Sequence, residues 1–423
     1  MDTTAQAALL RIQNMMMLCK QLKLPVQFKV SRIHRQEAPS PAAAAAAAAA
    51  VAAADAADHD MEQPANEATQ ELAVIVHVLS DYAFKKYLQH CSASDLMLLR
   101  GLLLKVETNA AMDRILSARV QQAFLPKFEN EGQDSSIADA IVQHADERPM
   151  VVTIKHSGSL VTLSSQGFAA KNSLDNEYSA GAAVLLQAHF VRLLGCEAAA
   201  QQRLAALMDA LQQRQLAISF EMVTGCHGHH GQLPAGEYLV ATSAHTAGSS
   251  GQPEFLSWLS FLQLCLQFGL PLNDTWILPG TAAAAAAAAR ELLDHLALSG
   301  CPTGEALQQL TVLVEEPDTA AAAAAAGDAV DAAAAAAAAR KGVHLPGTYP
   351  HEQWQGSRIE GFVVSQGQPV AGQQGWQQLL QLGQAMQRQV VRLEQCGGQQ
   401  QLQRPYQWLL EQAGQWVCTY MGF

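Results

Sequence analysis

The chain has 423 residues, with 26 Lys and Arg against 38 Asp and Glu and a formal net charge of −12. That excess of acid argues against nonspecific nucleic-acid binding, which relies on Lys and Arg to neutralise phosphates, and leaves room only for a local basic site. Alanine runs near 42–57, 282–289 and 319–339, and dense glutamine at 366–415, form no core; about 300 residues remain, enough for a sizeable one.

In chain order, Ala8, Leu9, Ile12, Met15, Met16 and Leu22 recur at helical spacing, so the N-terminal segment 1–35 is predicted to carry a helix over 5–30. Residues 36–66, rich in Pro, Ala and acids, read as a low-complexity linker. The region 67–120 reads as helical. Two amphipathic patterns run through 69–106, broken near Ser92–Ser94, the second with Leu96, Leu98, Leu99, Leu102 and Leu103.

The texture then changes. Met150–Ile154 and Leu160–Leu163 are short β-prone runs separated by a Ser-Gly turn signal. Helices are predicted at about 177–195, 200–213, 254–268 and 287–298, and strands at Ala217–Thr224, Glu237–Thr242, Thr275–Leu278 and Arg358–Val364. The C-terminal part, 366–423, reads as Gln-rich and helical over 373–394 and 404–414. Short strands mixed with helices, without regular βαβ alternation, predict an α+β fold in which the alanine runs near 281–289 and 319–339 are insertions without chemistry.

Eight cysteines stand singly and none forms a CxxC pair, which predicts reduced thiols in an intracellular protein. No apolar run approaches the ~20 residues needed to span a bilayer. The N-terminus shows no secretory signal pattern. It carries Asp2 and then no acid until Glu37, a weak organelle-targeting character. Cys226-His227-Gly228-His229-His230 offers zinc-ligand types, but no second cluster completes a site, so a plain loop is expected. Trp276 is expected in the core rather than stacked on a ligand.

The segment with the clearest chemical content is Ile154-Lys155-His156-Ser157-Gly158-Ser159-Leu160. A lysine at a strand end, followed by a glycine turn and another strand, suits covalent nucleotidyl transfer. Its amine must be deprotonated to attack a nucleotide α-phosphorus. The glycine lets the backbone turn tightly and approach the nucleotide. Alone, KxxG occurs by chance on the order of once in a chain this long and is uninformative. Around it lie Leu125-Pro126-Lys127-Phe128-Glu129, Ala170-Lys171-Asn172-Ser173, Ile218-Ser219-Phe220-Glu221-Met222-Val223 and Ile359-Glu360-Gly361-Phe362-Val363. KxxG, an FE strand and an EG strand follow in that order, each polar residue within or at the end of a β-prone run. On such an alternating strand the side chain of His156 is expected to point away from Lys155.

This order resembles motifs I, III and IV of the covalent nucleotidyltransferases. The stretches FLPKFENEG, IKHSGSLVTLSSQGFAAKNSLDNEYSA and ISFEMVTGCHGHHGQLPAGEYLVAT resemble, more narrowly, the ATP-dependent ligase module of plant-type tRNA ligases. The resemblance covers roughly 120–280 and returns at 357–365. It implies a ligase-type nucleotidyltransferase domain of mostly antiparallel sheets over 121–365. It also implies an ATP-dependent RNA ligase that joins tRNA exon halves in tRNA splicing through a lysyl-AMP. Lys155 would be the nucleophile and Gly158 would shape its turn. Glu221 would contact the ribose, and Glu360 would place the metal or the reacting lysine. Lys127, Lys171 and Ser173 would meet the nucleotide or RNA phosphates. The implied cofactors are ATP and Mg²⁺, the implied partner is RNA, and no membrane is expected.

One departure stands out. The superfamily's motif V supplies lysines for the α-phosphate, yet no lysine follows Lys341 here, and only Arg388, Arg392 and Arg404 follow the EG strand. A truncated chain or a catalytically impaired RNA-binding homologue would account for that; a capping-type nucleotidyltransferase is the other enzymatic alternative. No P-loop and no paired HxT motif is present. The kinase and phosphodiesterase that heal RNA ends are therefore expected from further C-terminal sequence or separate proteins. The nucleus or cytoplasm is the expected compartment, with the chloroplast as alternative.

Overall fold

Thr69–Val78 (β2), TQELAVIVHV, is dense in β-branched residues, and Val26–Arg32 (β1), VQFKVSR, alternates apolar and polar. The computed structural model pairs them antiparallel and continues the sheet through Arg100–Asn109 (β3) and Ile115–Gln122 (β4) in the order β1-β2-β3-β4. The described residues are 20–23, 26–32, 69–78, 100–109, 115–123, 136–143, 149–171, 173, 176–226, 236–247, 253–278, 290–294, 304–315, 342–349, 361–366 and 372–396. The chain divides into two compact units, Met1–Gln121 with Gly248–Gln252, and Gln122–Ala247 with Pro253–Phe423.

The four-stranded sheet corrects the helical reading of 67–120 and the extension of a first helix to residue 30. In β3, Leu103, Leu104, Lys105 and Val106 are all buried. A strand covered on both faces gives a continuous apolar run, which hydropathy periodicity cannot tell from a buried helix. The expected helix over 404–414 lies outside the described residues, as do Lys127 and Glu360.

The second unit is α+β, with two antiparallel sheets and helices. Its elements run from the helix Ser136–Gln143 (α1) through the strands Met150–Lys155 (β5), Ser159–Ser164 (β6) and Gly167–Ala170 (β7). The helices Glu177–Leu194 (α2) and Glu197–Arg214 (α3) follow, then Leu216–Val223 (β8), Tyr238–Ala247 (β9) and Pro253–Phe255 (β10). Trp258–Phe268 (α4), Thr275–Leu278 (β11) and Gly304–Glu315 (α5) come next. Val343–Leu345 (β12), Gly361–Gln366 (β13) and Gly372–Cys396 (α6) close the series.

One sheet has the order β10-β9-β8-β6-β7, the other β12-β11-β5-β13. The first is two-faced. Val161, Leu163, Ile218, Phe220 and Met222 point into the main core, against Leu185, Leu186 and Phe190 of α2 and Leu207 and Leu211 of α3. Each such large side chain contributes about 1.5–3 kcal/mol on burial. Asn176 starts α2 with a capping box: its side-chain oxygen accepts from the Ser179 backbone N–H at 3.0 Å, while the Asn176 N–H reaches Ser179 Oγ at 3.0 Å. The second sheet puts Met150, Val152, Ile154, Trp276 and Leu278 into a separate cluster with Leu310 and Val314 of α5. No single helix among the described residues is long and apolar enough to cross a membrane; the bent pair α2 and α3, which passes on length and composition together, packs on the first sheet.

Candidate functional site

Lys155 is the last residue of β5, half-buried, and pairs in register with Gly361, the first residue of β13. Glu360 precedes Gly361 in sequence. At Lys155 the chain leaves the sheet β12-β11-β5-β13, and at Ser159 it enters the five-stranded one. The intervening residues 156–158 cross between the sheets, which is why a glycine is needed there. A Cβ on Gly158 would lie 2.4 Å from the carbonyl oxygen of Met222 and 3.0 Å from Cγ of Glu221. The turn is pressed against the central strand β8, and the candidate ribose ligand is its neighbour.

The register carries the other candidates to the same end of the sheet. Leu160 pairs with Glu221, and Glu221 with Val240. On the other side β6 pairs with β7 as far as Val161 and Ala170. Lys171, the next residue, is therefore level with Leu160 and Glu221. Ser173 is held by backbone hydrogen bonds: the Ala170 N–H donates to its carbonyl at 2.8 Å and its own N–H donates to the Ala170 carbonyl at 3.3 Å. Gly158, Lys171, Ser173 and Glu221 thus share one end of the five-stranded sheet, and Lys155 ends β5 three residues before Gly158. A cavity of about 350 Å³ lined by Arg214, Leu216, Thr246 and Gln267 lies at the opposite end of β8 and holds none of them.

Sequence reasoning missed what stands behind this turn. His156 is buried at 7% exposure. Its Nε2 is 3.0 Å from Oδ1 of Asn273 and its Nδ1 is 3.2 Å from the hydroxyl of Tyr238. Asn273 also donates from Nδ2 to the carbonyl of Ile154 at 2.8 Å. Tyr349 stacks on Tyr238 with centroids 5.4 Å apart and meets the His156 ring edge-on at 5.1 Å. The Tyr349 hydroxyl donates to Oδ2 of Asp274 at 2.6 Å; burial, then the neighbouring Asp274 carboxylate, push that phenol well above its ordinary value. Oδ1 of Asp274 accepts from the Gly347 N–H and faces Nε2 of His344, both at 3.0 Å. No spacing in the sequence announces this cluster, because Tyr238 and Asn273 lie 82 and 117 residues from His156.

Trp276 is a core residue as expected, 1% exposed, donating to Oγ1 of Thr311 at 2.9 Å and stacked on His344. Cys226 bonds through Sγ to Oε1 of Glu237 at 3.3 Å, and 227–230 lie outside the described residues. Among the described residues no group of three or more His, Cys, Asp or Glu could hold a metal ion. A Mg²⁺ bound through one or two carboxylates plus nucleotide phosphates needs no such cluster.

No family model matches the chain. Over 164 residues, 38% of its length, it is 34% identical to tRNA ligase 1 of Arabidopsis thaliana. The chain spans 15% of the length of that curated relative. Over that stretch the chain is similar to a tRNA ligase.

Proposed function

We propose that this chain is an ATP-dependent RNA ligase of the covalent nucleotidyltransferase type, which joins tRNA exon halves in tRNA splicing. The observation that carries the reading is the end of β5: Lys155 stands where the chain crosses between two antiparallel sheets, with Gly158 seated on β8 beside Glu221. The identity to a tRNA ligase supports it.

In the proposed reaction the neutral Nζ of Lys155 attacks the α-phosphorus of ATP. A P–N bond forms, the bond to pyrophosphate breaks, and the amine loses a proton. Glu221 holds the ribose hydroxyls, and Lys127, Lys171 and Ser173 hold phosphate oxygens. Mg²⁺, held by Glu360 and the phosphates, would offset their charge and orient the leaving pyrophosphate. The AMP then passes to an RNA 5′-phosphate, freeing Lys155. A 3′-hydroxyl of the second RNA attacks that phosphate and AMP leaves.

The test is incubation with α-labelled ATP and Mg²⁺, followed by denaturing electrophoresis, for the native chain and Lys155→Ala. Label retained by the native chain and lost in the variant is expected; a folded native chain that takes no label refutes the reading. Label from GTP but not ATP would favour a capping-type enzyme. Binding of RNA by a folded chain that takes no label would fit an impaired homologue instead.

A further inference from the structure

We propose that His156 is a positioning residue that sets the direction of the Lys155 side chain, through a hydrogen-bonded clamp made with Asn273 and Tyr238. The inference rests on Lys155 being the nucleophile and adds a determinant that lies outside the motif residues.

Asn273 grips both flanks of Lys155. Its Nδ2 holds the carbonyl of the preceding residue, Ile154, at 2.8 Å, and its Oδ1 faces the ring of the following residue, His156, at 3.0 Å. The reverse amide orientation would set Oδ1 against the Ile154 carbonyl, acceptor against acceptor. With Oδ1 toward the ring, Nε2 of His156 carries the hydrogen. A neutral imidazole then has a free lone pair at Nδ1, and the Tyr238 hydroxyl, 3.2 Å away, donates to it. For a neutral ring the clamp therefore specifies the tautomer with the hydrogen on Nε2.

Its two ends lie on different elements: Tyr238 opens β9, and Asn273 lies in the loop just before β11. Tyr349 backs the ring edge-on, with its hydroxyl anchored on Asp274. A rotation of the turn that moved Lys155 would break the bonds to Tyr238 and Asn273 at once. Loss of the clamp leaves the nucleophile attached but less well aimed, and misplacement by about 1 Å costs on the order of a hundredfold in rate.

The test uses the full chain and measures single-turnover labelling by α-labelled ATP across a range of ATP concentrations. His156→Ala is expected to slow labelling at saturating ATP by roughly a hundredfold with half-saturating ATP unchanged, since the ring is buried behind the turn. His156→Gln, whose amide nitrogen can reproduce the donor to Asn273, is expected to recover much of that loss. Tyr238→Phe keeps the ring stacking and removes one bond; it is expected to slow labelling at unchanged half-saturation and serves if His156→Ala does not fold. Unchanged labelling in folded His156→Ala, or a change confined to half-saturation, overturns the proposal while leaving the ligase reading intact. So does equal loss in the Ala and Gln variants in proportion to their loss of thermal stability. A native chain that takes no label overturns the ligase reading, and the positioning role falls with it.

Discussion

His245 sits on β9 at 1% exposure, and its Nε2 accepts the backbone N–H of Ala123 at 3.1 Å. Burial lowers its pKa from 6.5 to about 4. A proton on Nε2 would also face the Ala123 donor. The unfolded chain takes up that proton near pH 6.5 and the folded chain only near 4, so between those values the unfolded state binds more protons. Stability from this residue is fully present above pH 6.5 and is lost as pH falls toward 4. Integration gives about 2 kcal/mol lost at pH 5. His189, partly exposed on α2 and lowered to about 4 by burial, acts in the same direction. Urea unfolding of the native chain at pH 7.5 and 5 should show the drop, and His245→Gln should show a smaller one. Equal drops in both would assign the acid sensitivity elsewhere.

At the scale of elements, the meeting of the β5–β6 turn with β8 decides the site. A Cβ at residue 158 would lie 2.4 Å from a backbone oxygen and 2.9 Å from the carbonyl carbon of Met222, atoms held in the centre of a five-stranded sheet. Neither can yield as the tip of a side chain can, so Gly158→Ala must push the turn off the strand. Stability should fall by about 1–3 kcal/mol, measured by denaturant midpoint, and labelling of Lys155 should fall further than unfolding explains. Full labelling at native stability would show that the turn is not set by this contact. The elements that make the site were legible. β5, β6, β8 and β11 are short β-prone runs, and α2 and α4 have helical periods that match their buried faces. The N-terminal sheet was not, since the run Leu103, Leu104, Lys105, Val106 of β3 is buried on both faces. The three-residue strand β12 is too short to carry a period. The cluster around His156 is a product of tertiary contact alone, so only the motif residues facing it could be read from the sequence.

For the molecule as a whole, the charge of −12 and the proposed RNA substrate pull in opposite directions. A polyanion gains little from this chain's average field, so capture must rest on few contacts. The proposed reading assigns two lysines to phosphates: Lys127 and Lys171. At about 0.7 per neutralised phosphate on a single strand, log affinity against log salt should have a slope of about −1.4. Fluorescence anisotropy of a labelled single-stranded RNA over a salt series measures it. A slope of about −5 or steeper would mean a phosphate track of seven or more contacts, with the basic surface lying outside the residues named here. A shallow slope with affinity that depends on a 5′-phosphate would mean recognition concentrated at the RNA end, where transfer of AMP requires it.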